Sequence, residues 1–158
     1  MRYALTITVS LAAATMAAVA QGPVPDAMRP AALGDSYVPS LGDIMGATQL
    51  RHFKLWYAGK EKNWDLASYE LGQIEESFNT AARLYRNIPI DNIEMIERPL
   101  TALDSAIKAK DDAGFAKGFS DLTVTCNACH QAAHVGFITM QSPTASPFSN
   151  QSFAPKKK

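Results

Sequence analysis

Cysteine, histidine and charge are all scarce in this chain. It has two cysteines and three histidines in 158 residues, charged side chains make up 19% of it, and fifteen basic residues balance fifteen acidic ones. A chain with no basic excess lacks the electrostatic footprint of a nucleic-acid binder. Setting aside Arg2 at one extreme and Lys156, Lys157 and Lys158 at the other leaves eleven basic against fifteen acidic residues, a mildly acidic body. No internal repeat is present, and no strand-like run precedes the cysteines. There is also no Ser/His/Asp arrangement, paired-carboxylate site or phosphate-binding loop, so the chain is expected not to be an enzyme in its own right. What it does have is 47% hydrophobic content, ample for the core of one domain.

Both cysteines fall in a single pentad, Cys126-Asn127-Ala128-Cys129-His130. C-x-x-C-H is the spacing of covalent c-type haem attachment. On a helix, residues three and four apart share a face, so Cys126, Cys129 and His130 would all project to one side. Two thioethers to Cys126 and Cys129 would then fix the macrocycle, with the His130 imidazole as proximal iron ligand. The expected cofactor is one covalent haem c. Two other chemistries use similar residues. A thioredoxin-type pair needs a βαβ setting and a helix N-terminus to lower a thiol pKa, and neither is evident near Cys126. A zinc site from Cys126, Cys129, His130 and His134 would take all four ligands from nine residues, whereas structural zinc usually draws on two separated pairs.

The N-terminus has the pattern of a secretory signal. Arg2 gives the positive end, Tyr3 to Met16 is apolar, and Ala18-Val19-Ala20 is an A-x-A cleavage site before Gln21. Residues 1–20 are therefore expected to be removed after Ala20, leaving no membrane insertion and a periplasmic protein. An uncleaved anchor is the alternative, on a run barely long enough to span. Export and the pentad agree, because c-type haem is generally attached outside the cytoplasmic membrane.

Residues 21–40, with Pro23, Pro25, Pro30 and Pro39, are expected to be an extended leader. Beyond it, apolar residues recur at spacings of three and four in four successive segments, which is the period of amphipathic helices. The first is expected from about Leu41 or Asp43 to Ala58 with Gly59 as its stop, carrying Leu41, Met45, Thr48, His52, Leu55 and Trp56 inward. Met45 and His52 point in nearly the same direction but are about 10 Å apart along such a helix, so only one can face an iron atom. The second is expected from an Asn63 or Asp65 cap to about Arg86, with Trp64, Ala67, Leu71, Ile74, Phe78, Ala82 and Tyr85 as its seam and Glu70, Glu75 and Glu76 on a solvated face. After a connection from Asn87 to Asp91, the third carries Ile93, Ile96, Leu100, Leu103 and Ile107. Pro99 predicts a kink or a late start, and Met95 lies off the stripe. The fourth, capped by an aspartate of Lys110-Asp111-Asp112, carries Phe115, Phe119, Leu122, Cys126, Cys129, His130 and Ala133 inward. His134 falls at the edge of that stripe, as a surface or propionate-side histidine. The haem domain is thus expected over 41–135, with a Pro-rich tail over 136–158 apolar enough to drape over the bundle or a haem edge.

Four amphipathic helices with the attachment pentad on the last one resemble the class II c-type cytochromes, the cytochrome c′ family and its low-spin relatives. The resemblance spans Leu41 to His134 and rests on the pentad, on Met45 in the first helix and on the turn Gly59-Lys60-Glu61-Lys62 leading to Asp65. It implies an all-α, antiparallel four-helix bundle with haem attached on the C-terminal helix. It also implies that Met45 is the distal iron ligand, as in the low-spin relatives; His52 is the second choice, and Met140 in the tail is a remote one. The function implied is that of a periplasmic electron carrier with a redox partner protein, and homodimers occur in such a family. A five-coordinate protein binding NO or CO, or a haem subunit of a periplasmic oxidoreductase with the tail as attachment arm, are the alternatives.

Overall fold

A computed structural model describes residues 37–156 of the chain apart from 86, 87 and 89, and the side chains of 90–93 are likewise outside the described set. The expected signal segment, most of the leader, the Arg86 end of the second helix, the connection through Pro89, the inward position of Ile93, and Lys157 and Lys158 therefore lie outside the described residues.

Four helices follow in order: α1 (Leu41–Lys60), α2 (Trp64–Leu84), α3 (Ile90–Ala109) and α4 (Asp112–Ala132). No strand occurs among the described residues, and the protein is an all-α, antiparallel four-helix bundle. No helix among the described residues is long and apolar enough to cross a membrane.

Local chemistry explains the starts of the helices. Ser40 caps α1 through a capping box: its hydroxyl accepts the Asp43 N–H at 3.1 Å, and the Asp43 carboxylate accepts the Ser40 N–H at 3.2 Å. Asn63 caps α2 by accepting the Leu66 N–H, and Asp111 caps α4 by accepting the Ala113 N–H.

The α1 end departs from expectation, while the turn at Lys110 between α3 and α4 falls where it is expected. Gly59 does not stop α1, which continues to Lys60. A Cβ on Gly59 would sit 2.1 Å from Cε1 of Phe115, so glycine is required there by the close approach of an aromatic ring from α4. The turns that do end α1, α3 and α4 use Lys62, Lys110 and His134 in the left-handed region, at φ of 56°, 55° and 60°. In each case the following N–H bonds back to a carbonyl five residues earlier: Asn63 to Ala58, Asp111 to Ala106 and Val135 to His130. These are Schellman turns built without the glycine that usually marks them. His134 is exposed and serves as the turn residue of α4.

α3 runs through Pro99 as one helix, so the proline neither delays its start nor ends it. Met95 is exposed, as its place off the stripe implies. On α2, however, Glu70 is not part of a solvated face. It is 1% exposed and accepts a hydrogen bond from Arg51 of α1 at 3.1 Å. Burial of an ionised carboxylate is costly unless it is paired, and Arg51 supplies the pair.

The core is continuous across the bundle, with Leu55, Ile74, Leu103, Phe119 and Leu122 almost completely removed from solvent. α1 packs chiefly on α2, and α3 on α4; α2 meets α3 less closely, and α1 meets α4 least of these pairs. His52, Trp56 and Phe119 bridge that loosest seam as a cluster of rings, with centroids 4.3 Å apart for His52 and Phe119 and 4.8 Å for Trp56 and Phe119.

The C-terminal tail lies on the bundle. Phe148 packs edge-on against Phe53 of α1, Phe153 packs against Tyr57 and is 7% exposed, and the Ala154 carbonyl accepts the Asn63 side-chain N–H at 3.3 Å. Aromatic contacts at these separations explain how a segment without regular structure, and with prolines at 143, 147 and 155, stays in place.

Candidate functional site

Up-down topology brings the first half of α1, the last turns of α2, the early part of α3 and the end of α4 to the same end of the bundle. A cavity of about 370 Å³ opens there. It is lined by Leu41, Met45, Thr48 and His52 of α1, Phe78 of α2, Ile96 of α3, and Cys126, Cys129 and His130 of α4, with Val135 of the turn after α4 and Ile138 and Met140 of the tail on one side. Its volume is that of a small-molecule or cofactor site, and its walls are mainly apolar with a few sulfur and imidazole groups. The three pentad residues and Met45, widely separated in sequence, thus share one cavity wall set. A second cavity, of about 400 Å³ between α2 and α3, is rimmed by Glu75, Glu97 and Asp104 and has no sulfur or imidazole group.

The two histidines of the cavity have fixed and different proton positions. His130 Nδ1 lies 2.7 Å from the carbonyl oxygen of Ile138. A carbonyl only accepts, so His130 Nδ1 carries a hydrogen and donates it, and in the neutral ring Nε2 is then the nitrogen with the lone pair. His52 Nε2 lies 2.9 Å from Thr123 Oγ1, and the Thr123 hydroxyl donates its own hydrogen to the Phe119 carbonyl at 2.8 Å. His52 Nε2 must therefore be the donor. The ring is 3% exposed, and burial lowers its pKa from 6.5 to about 4, so it is neutral at ordinary pH.

Both thiols are free. Burial, reinforced by the neighbouring Cys129, pushes the Cys126 thiol up to about 12, and burial raises Cys129 as well. A thioredoxin-type nucleophile needs the opposite shift, toward the thiolate. Among the described residues no three His, Cys, Asp or Glu side chains form a metal-ligand group, so the four residues of the zinc alternative do not come together as one.

The structure unites every sequence-derived site residue, His52 and Met140 included, at this one cavity, and leaves His134 outside it. Sequence reasoning identified Phe78 and Ile96 as core positions without seeing that they line the cavity. It expected the tail to drape over the bundle, as it does, but it missed the tail's backbone contacts to the pentad and it missed Asn127, whose amide pairs with the Met140 backbone. No periodicity marks either one.

Comparison with protein-family models, with curated proteins and with solved structures gives no match. The site is therefore argued from its own chemistry.

Proposed function

We propose that the protein is an exported monohaem c-type cytochrome, an electron carrier that holds its haem in the cavity at the open end of the bundle. The observation that carries this reading is the convergence of Cys126, Cys129 and His130 from α4 with Met45 from α1 on one apolar cavity. Cys126 and Cys129 would hold the group through thioethers, His130 would be the proximal ligand, and Met45 the distal one. A bound haem supplies one-electron exchange between Fe(II) and Fe(III).

The chain's own residues then have distinct tasks. His130, donating from Nδ1 to the Ile138 carbonyl, presents the Nε2 lone pair that metal ligation needs. His52, committed through Nε2 to Thr123 and stacked on Phe119, is tied into the core, which favours Met45 over it as distal ligand. Leu41, Phe78, Ile96 and Val135 exclude water and keep the local dielectric low, which together with a thioether ligand raises a reduction potential.

Absorption spectroscopy of the exported protein tests the ligand set. A ferric far-red charge-transfer band characteristic of methionine sulfur on iron is expected, lost in Met45→Ala and kept in His52→Ala. A high-spin ferric spectrum in the unaltered protein would replace this reading with that of a five-coordinate, NO- or CO-binding protein.

A further inference from the structure

The tail closes the cavity through a hydrogen-bonded clamp centred on Asn127, the residue directly after Cys126. Asn127 Nδ2 donates to the Met140 carbonyl at 2.9 Å, and Asn127 Oδ1 accepts the Met140 N–H at 2.7 Å. Both ends of one side-chain amide are thus spent on one backbone residue, an arrangement that fixes the tail segment in position and direction. Two residues earlier, the Ile138 carbonyl takes the His130 Nδ1 hydrogen. The turn between helix and clamp is itself tied, with Val135 N–H bonded to the His130 carbonyl and Ile138 N–H to the Val135 carbonyl. The clamp therefore fastens the tail to the pentad two residues beyond the one carbonyl that sets which ring nitrogen of His130 is free.

We propose that Asn127 is a positioning residue of the haem site: by holding Met140 through both ends of its side-chain amide, it keeps the Ile138 carbonyl on His130 Nδ1 and the Ile138 and Met140 side chains against the cavity. The inference rests on the haem reading for its consequence at iron, but the clamp and the ring tautomer belong to the chain itself. Ile138 is 45% exposed and occupies irregular backbone, so little burial holds its carbonyl in place. Asn127, half-buried on a rigid helix, supplies what burial does not.

Loss of the Nδ1–H bond makes a proximal imidazole a weaker donor to iron, which favours Fe(II) and raises the reduction potential. The test compares unaltered protein with Asn127→Ala and Asn127→Asp by three measurements on the full chain: the potential, the nitrogen-15 NMR signal of the His130 ring, and limited proteolysis within residues 139–147. Asn127→Ala is expected to raise the potential, to lose the slowly exchanging Nδ1–H signal and to speed cleavage of the tail, with helical circular dichroism unchanged. Asn127→Asp keeps the acceptor for the Met140 N–H but not the donor, and is expected to fall between the two. Faster tail cleavage with an unchanged potential and ring signal would make the clamp structural only and overturn the proposal, as would no change in any of the three. If the unaltered protein carries no haem, the haem reading fails. The His130 ring signal then still decides whether Asn127 sets the tautomer: loss in Asn127→Ala upholds that positioning, and retention overturns it.

Discussion

His52 donates from Nε2 to Thr123 Oγ1 at 2.9 Å, joining α1 to α4 across a seam less packed than α1–α2, α2–α3 or α3–α4. The bond requires a neutral ring, and burial keeps it neutral down to about pH 4. An unfolded chain takes up that proton near the ordinary value of 6.5. Between those two values the unfolded state binds more protons, so stability is complete above pH 6.5 and falls as pH drops toward 4, by about 3 kcal/mol for a shift of this size. Urea titrations from pH 7 to 4 check this. The slope should be largely absent in His52→Gln, whose amide can still donate to Thr123; a slope of the same size in both proteins would assign it to other groups.

Arg51 and Glu70 form the one ion pair among the described residues with an almost fully buried partner, at 2% side-chain exposure for Glu70 and 28% for Arg51. Removing the guanidinium strands a buried carboxylate. Arg51→Met is expected to cost about 2 kcal/mol, discounted from fully buried pairs because Arg51 reaches solvent. Adding Glu70→Leu should restore part of that loss, and a double-mutant cycle by chemical denaturation measures the coupling.

Gly59→Ala introduces a Cβ 2.1 Å from the Phe115 ring, within α1. Overpacking of this kind costs roughly 1–3 kcal/mol, against the gain of about 1 kcal/mol that alanine normally brings to a helix interior. Thermal melts should show a net loss, relieved when Phe115→Leu is added. Stabilisation by Gly59→Ala alone would mean that the α1–α4 contact is looser than described.

Lys110 holds a left-handed conformation, φ 55°, on an exposed turn. Lys110→Gly removes the Cβ penalty of that conformation and should raise stability by up to about 1 kcal/mol, read as a higher melting temperature. The usual sign, glycine destabilising, would contradict the geometry of the turn.

Much of the fold was legible because period and register depend on residues near one another in sequence. Met45, Thr48, His52 and Leu55 face inward on α1, and Phe115, Phe119 and Leu122 on α4, as their spacing demands. The failures share a physical cause: each depends on a partner distant in sequence. Glu70 reads as a solvated residue until Arg51, nineteen positions away, neutralises it in the core. Gly59 reads as a helix stop until Phe115 packs onto it. The turn at Lys110 between α3 and α4 falls where the sequence places it, although Lys62, Lys110 and His134 take a conformation usually given to glycine. At the site, the pentad and Met45 were legible from motif and stripe. The draping of the tail was legible from its apolar residues, but its bonds to the pentad were not, because Ile138 acts through its backbone carbonyl and Asn127 through an amide pair thirteen residues away.

The most direct test of the account is the mass and visible spectrum of the exported protein after denaturation in acid and organic solvent, conditions that release non-covalent haem. The account predicts one haem retained on the unaltered chain and none on the Cys126→Ala, Cys129→Ala double variant. A chain that leaves a haem-attaching host with both thiols free, or a double variant that still retains haem, would contradict it.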